Sequence, residues 1–183
     1  MEAALPRLLR EDLVLLVLGT GDKHYEAMFA SLHARSPDRV SVKIAYDNSL
    51  AHLVEAGSDI FLMPSHYEPC GLTQIYSMRY GTVPVVRATG GLEDTVEQWD
   101  PKTRTGTGFK FSDYDPLQFI AAVRQALSVF KNEEDWKQLM LNGMSQNFSW
   151  EQPAREYVEV YERARELRVP KLVKPLSRIS TEI

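Results

Sequence analysis

Short, unbroken apolar runs alternate along this chain with stretches whose apolar residues recur every three or four positions. The first run, residues 13–18 (Leu-Val-Leu-Leu-Val-Leu), has no polar interruption. That is the pattern of a parallel strand covered on both faces. Val40–Ile44, Ile60–Met63, residues 83–86 and Phe109–Phe111 read as further short strands. Between them lie helical periods. Residues 22–35 carry an apolar stripe at Met28, Phe29 and Leu32, as an amphipathic helix does. Asn48 is placed to cap a helix over Asn48–Ala56, and Gly71 and Gly81 bracket another over residues 72–80. Asp113 or Asp115 caps Pro116–Phe130. A helix follows over residues 133–147, and Ser149 caps a last one reaching about Arg168, with Pro153 in its first turn. Residues 2–9 are also helical in pattern, Pro6 being tolerable only near a first turn. Residues 169–183, with Pro170, Pro175 and basic side chains, read as a loose tail.

Strand and helix alternate at least four times before the chain ends in helices. This predicts an α/β fold: a parallel, doubly wound sheet with helices on both faces. With 183 residues the chain suffices for one core, so a single domain over residues 1–168 is expected.

Composition narrows the picture. An apolar content of 44% and a charged content of 25% are those of a globular protein. A net charge of −4 argues against a nucleic-acid partner. No apolar run approaches the ~20 residues of a membrane helix, and acidic residues precede the short run at 13–18, unlike a signal peptide. One cysteine excludes an internal disulfide framework and suits a reducing cytoplasm.

The chemistry is concentrated in residues 59–95. There two strand-to-helix turns fall close together, one carrying Glu68, Cys70, Gly71, Leu72 and Thr73, the other Thr89, Gly90 and Gly91. In α/β sheets such turns lie where ligands bind, and the free amides of a helix start attract phosphate. Glu68 either caps the helix near Gly71 or accepts hydrogen bonds from sugar hydroxyls, and Gly71-Leu72-Thr73 directly after it favours the ligand role. Thr73 offers a phosphate its hydroxyl and its amide. Gly90 and Gly91 bring bare backbone to a sugar or form a tight turn. Tyr46, at a strand end, stacks on a base or serves as a half-buried wall. Arg87 is expected to pair with Glu93 or Asp94. Other chemistry fits less well. In Gly19-Thr20-Gly21 the third glycine of a dinucleotide fingerprint would fall at His24. His66 and Cys70 flank Glu68, but Pro69 prevents one helix through the pair and no orienting residue follows. Cys70 reads better as a small residue packed beside a phosphate-binding turn. The four histidines lack metal-ligand spacing.

The stretch PSHYEPCGLTQIYSMRYGTVPVVRATGGLEDTV resembles the signature of bacterial glycogen synthases and plant starch synthases. The wider similarity runs from about Leu13 through Phe148-Ser149-Trp150. Members of that family are retaining glucosyltransferases with two Rossmann-like domains facing across a cleft, the GT-B arrangement. They move glucose from ADP-glucose, or sometimes UDP-glucose, to the non-reducing end of an α-1,4-glucan, without a metal. The resemblance maps to the C-terminal, donor-nucleotide half. It implies that Glu68 holds hydroxyls of the donor glucose as the catalytic-site acid. Gly71, Leu72 and Thr73, with Cys70 beside them, would cradle the diphosphate; Tyr46 would lie near adenine, and Gly90 and Gly91 near the sugar. Related retaining transferases carry a second glutamate eight positions after the first; here that position is Tyr76, as the resemblance to this particular family implies. Residues 150–164 resemble a helix that reaches back to the other domain.

The chain also departs from the pattern. The family's C-terminal half opens with a strand and a loop of the form SRLxxQKG, whose cations neutralise the leaving nucleotide. This sequence starts beyond that loop and lacks the acceptor domain. These absences imply a missing first strand, negligible transferase activity for the 183 residues alone, and self-association through an exposed sheet edge. The second reading is a non-catalytic module that binds ADP-sugar or glucan or docks on a synthase. The compartment expected is the cytoplasm, or a plastid for a plant or algal source.

Overall fold

The computed structural model describes residues 2–168; the tail expected over residues 169–183 lies outside the described residues. A 3-10 turn at Glu2–Ala4 leads into α1 (Leu5–Leu8). Then β1 (Leu15–Gly19), α2 (Lys23–Arg35), β2 (Val40–Ile44), α3 (Asn48–Ala56), β3 (Ile60–Met63), α4 (Thr73–Tyr80) and β4 (Val83–Arg87) alternate. After them come α5 (Gly91–Thr95), β5 (Phe109–Phe111), α6 (Pro116–Phe130), α7 (Glu133–Met144) and α8 (Glu151–Arg168). The described residues divide after Gln146 into a compact unit and a second one that holds α8. Within the second unit, Tyr157 and Tyr161 stack one helical turn apart, ring centroids 6.2 Å apart.

All strand pairs are parallel, and helices cover both sides. The expected continuous sheet is, however, two sheets, β1-β2 and β3-β4-β5. β1 and β3 share no ladder; a cavity of about 830 Å³ lies between them. The vacant edges of β1 and β3 therefore both border this cavity. This also explains why the 13–18 run is only partly covered. Val14 and Leu16 remain 62% and 45% exposed, although the unbroken apolar pattern calls for cover on both faces.

The core sits under the three-stranded sheet. Val83 and Val85 of β4, Phe109 and Phe111 of β5, and Phe119, Ile120, Val123 and Ala126 of α6 are buried together with Leu5 and Leu8 of α1. The α2 stripe of Met28, Phe29 and Leu32 packs against this core while staying half-exposed. Pro84 has no N–H to give to a ladder; it stands just before Val85, where pairing with β5 begins at Phe109.

Capping follows the sequence at α6 and shifts by a residue at α3, while Ser149, expected to cap the last helix, lies two residues ahead of its first residue Glu151. Asp115 caps α6 by accepting from the Leu117 amide, and Asn132 caps α7. For α3 the cap is Asp47, one residue ahead of the expected Asn48; its carboxylate accepts from the Leu50 N–H at 3.0 Å. That amide, then Lys43, holds the Asp47 carboxyl below the ordinary carboxylate range.

Glu55, in the last turn of α3, is buried, and its Oε2 has no partner among the described residues. Burial raises its pKa above the ordinary 4.5, and nearby His52 offsets only part of this. A carboxyl whose folded pKa is raised holds a proton that the unfolded chain has released. Stability therefore falls as pH rises from about the unfolded value through the raised one, and the penalty persists above that window. Glu55→Gln removes this dependence. The melting temperature of the variant relative to the parent is expected to climb between pH 4 and pH 7, read by scanning fluorimetry across that range.

Candidate functional site

The turn between β3 and α4, residues 64–72, is shaped from below by a cation. Arg87, at the carboxyl end of β4, donates from Nε to the Ser112 carbonyl at 3.1 Å and from Nη1 to the carbonyls of Ser65 and His66. Its guanidinium also lies over the Tyr114 ring, 5.7 Å from the centroid, and the same ring meets His66 edge-on. The expected pairing of Arg87 with Glu93 or Asp94 is not made. Lys110 takes Glu93 instead, at 2.8 Å, because β5 brings Lys110 beside that carboxylate while Arg87 points beneath the turn.

The second turn presses on the first, backbone to backbone. The Gly91 N–H donates to the Glu68 carbonyl at 3.0 Å. A Cβ on Gly90 would stand 2.1 Å from the Glu68 carbonyl oxygen, and one on Gly91 would stand 2.2 Å from that of Cys70. Gly90 also has a φ of +49°, which side chains rarely adopt. These two glycines thus let the turns interlock, and the Gly91 amide is committed to that contact.

Gln74 completes the clamp. It is fully buried, and its Nε2 donates to the carbonyls of Cys70 and Gly71, at 3.1 and 2.9 Å, and to the Thr95 hydroxyl at 3.1 Å. Sequence reasoning passed over it, since a glutamine in a first helical turn reads as surface. Its position three residues after Gly71 was the available signal.

The other polar groups are left for solvent or a ligand. Leu72, the N-cap of α4, supplies no side-chain cap, so the amides of the first turn have no intrahelical acceptor. Glu68, which might have been that cap, makes no side-chain hydrogen bond or ion pair among the described residues. The Thr73 hydroxyl is exposed and among the described residues reaches only the Met63 sulfur, at 3.6 Å. Cys70 is exposed, and among the described residues its thiol has no base beside it and reaches only the Gly71 carbonyl, at 3.7 Å. The His66 ring is turned to Tyr114, so a Cys–His nucleophile is not assembled. Tyr46 is 89% exposed; with Gly19, Thr73 and Tyr76 it rims one end of the cavity between β1 and β3. The structure therefore joins Glu68, Cys70, Gly71, Gly90 and Gly91 in one interlocked pair of turns. Thr73 and Tyr46 come together at the cavity mouth next to them. Among the described residues no cluster of three or more His, Cys, Asp or Glu side chains is placed to hold a metal. No described helix is long and apolar enough to cross a membrane.

Parallel strands with helices on both sides define a Rossmann-like α/β fold, with an uncapped helix start, and a carboxylate unpartnered among the described residues, at the strands' carboxyl ends. The chain belongs to the glycosyl transferases group 1 family, which residues 2–139 match. It is 58% identical over 164 residues to a glycogen synthase of Koribacter versatilis, covering 90% of this chain and 34% of that one. A glycogen synthase of Kosmotoga olearia is 50% identical over 161 residues, 88% of this chain and 34% of that one. The chain thus spans about a third of the relatives it matches. Among solved structures, the catalytic domain of starch synthase IV from Arabidopsis thaliana, bound to ADP and acarbose, superposes with a TM-score of 0.80 at 36% identity; the match covers 90% of this chain and 35% of that one. Sucrose-phosphate synthase of Thermosynechococcus elongatus, at 19% identity and a TM-score of 0.58, covers 91% of this chain and 49% of that one and shares the fold.

Proposed function

We propose that this chain is the donor-binding part of a glycogen- or starch-synthase-type glucosyltransferase, taking glucose from ADP-glucose, or UDP-glucose, for addition to an α-1,4-glucan. One observation carries this reading: the uncapped start of α4 beside the unpartnered Glu68 carboxylate. The amides of the α4 first turn and the Thr73 hydroxyl take the diphosphate, whose charge the helix end favours. Glu68 accepts hydrogen bonds from glucose hydroxyls and so orients the sugar over the turn. Tyr46, exposed at the mouth, gives the base a flat wall. When the glycosyl–phosphate bond breaks, negative charge builds on the departing oxygens, and fixed donors aimed there lower the barrier. The relatives' names and the starch synthase IV complex with ADP and acarbose support this reading.

Calorimetric titration tests it. Glu68→Ala should weaken ADP-glucose binding by about 10- to 150-fold, the loss of one hydrogen bond to a charged group at ~1.5–3 kcal/mol. ADP affinity should stay within about twofold, because the carboxylate addresses the sugar and not the nucleotide. Binding of neither nucleotide by the parent chain would overturn the proposal.

A further inference from the structure

A second cavity lies away from the two turns, between α1 and α6. It holds about 570 Å³, a volume suited to a small molecule. None of its lining residues belongs to the turns at residues 64–72 or 89–91. Three arginines line it: Arg7 on α1, Arg10 just beyond that helix, and Arg124 on α6. The Arg10 N–H donates to the Arg7 carbonyl at 3.0 Å, so the two stems rise from one turn. Among the described residues no acidic side chain lines the groove, in a chain whose net charge is −4. Arg124 is held in place: its Nε and its Nη2 both reach Glu11 Oε1 at 2.8 Å, which leaves its Nη1 donors uncommitted. Arg7 and Arg10 are exposed, and among the described residues their guanidinium groups have no hydrogen-bond or ion-pair partner. Lys23, Lys43, Arg104 and Lys110, by contrast, each meet a carboxylate. Like charges one helical turn apart repel each other, and an anion seated between them relieves that repulsion.

We propose that this groove binds a phosphorylated sugar, its phosphate held by Arg7, Arg10 and Arg124 and its hydroxyls by Gln125 and Ser128. The charges match. Glu11 offsets one of the three cations, and a phosphate monoester carries about −1.5 to −2 at pH 7, enough to balance the other two. Guanidinium forks also fit phosphate oxygens two at a time. Gln125 and Ser128, further along α6, bring side-chain donors and acceptors to the same groove, as a hydroxylated body requires. Leu117, 56% exposed at the start of α6, gives an apolar flank for the ring carbons. No aromatic side chain lines the groove, so a nucleotide base would find nothing to stack on. The site shares no residue with the donor turns and stands if the donor-site reading fails.

Ribose-5-phosphate is the probe, titrated calorimetrically against the 183-residue chain at low ionic strength, with ribose and inorganic phosphate alongside. The ester should bind saturably, inorganic phosphate at least about threefold more weakly, and ribose not at all. Arg7→Gln combined with Arg10→Gln should weaken the ester at least about tenfold, since charge-assisted hydrogen bonds are lost. Lys102→Gln combined with Lys137→Gln removes the same charge from exposed positions outside the groove and should leave the affinity within about twofold. Gln125→Ala combined with Ser128→Ala should weaken the ester about three- to tenfold and leave inorganic phosphate unchanged. This second pair reads the sugar half of the site without touching the cations. Thr73→Val, in the donor turn, should change nothing. Four results would each overturn the proposal: no saturable binding of the ester; an equal loss in the lysine pair, which means diffuse charge attraction; a loss with Thr73→Val and none with the arginine pair, which places the ligand at the donor turn; or inorganic phosphate binding as tightly as the ester, which leaves the sugar without a role.

Discussion

Gly91→Ala should cost this protein most of its stability and its candidate site together. The added Cβ would lie 2.2 Å from the Cys70 carbonyl oxygen and 2.5 Å from the Cys70 Cα. Both are backbone atoms, so no rotamer change relieves the overlap; one turn must move off the other. That movement breaks the Gly91–Glu68 hydrogen bond and opens the packing of Leu92, which is fully buried against Val86 and Val96. We expect a loss of about 3–5 kcal/mol, the range of severe backbone and core lesions. In a chain of this size that corresponds to a melting temperature lowered by very roughly 6–20 °C. Gly21→Ala is the control, since nothing lies within 4 Å of its added Cβ, and it should stay within about 0.5 kcal/mol of the parent. Thermal unfolding of the two variants side by side decides the matter; equal melting temperatures would refute the interlocked-turn account.

The second large effect is expected from Gln74→Leu. Leucine keeps much of the volume but donates nothing, so the Cys70 and Gly71 carbonyls and the Thr95 hydroxyl lose a shared donor. Stranded buried acceptors cost about 1–3 kcal/mol each. Some regain water at the turn surface, so a total of about 2–4 kcal/mol follows. The damage should be local as well as global. Amide exchange across residues 69–72 should accelerate more than exchange in β4 and β5, because Gln74 ties the turn to α5 while the strands keep their own ladders. Nucleotide affinity should fall with it, as the first-turn amides of α4 lose their fixed aim. If urea denaturation and exchange in the turn both match the parent, Gln74 is not the clamp the contacts describe.

Self-association is expected from the same structure. The unpaired edges of β1 and β3 border an open cavity, and Val14 and Leu16 beside it stay exposed, so these edges are accessible to a second copy. Light scattering across a concentration series should therefore show the apparent mass rising with concentration, and a constant monomer mass would count against it.

Much of this protein was determined by its sequence alone. Val40–Ile44, Ile60–Met63, Phe109–Phe111 and Pro116–Phe130 fall where periodicity and breakers place them, because apolar spacing and capping act over a few residues. The glycogen- and starch-synthase signature in residues 64–96 likewise located the two turns and Glu68. Tertiary structure alone decided the rest. Arg87 finds carbonyls 21 to 25 residues away, Gln74 reaches Thr95 across 21 positions, and Gly91 serves to pass a neighbouring backbone. The resemblance implied a missing strand, but the place where the sheet divides, between β1 and β3, was decided only in three dimensions, since an apolar run shows that a strand wants neighbours but not which neighbours it has. Such contacts depend on how distant segments converge, and that convergence is set by the packing of the whole unit.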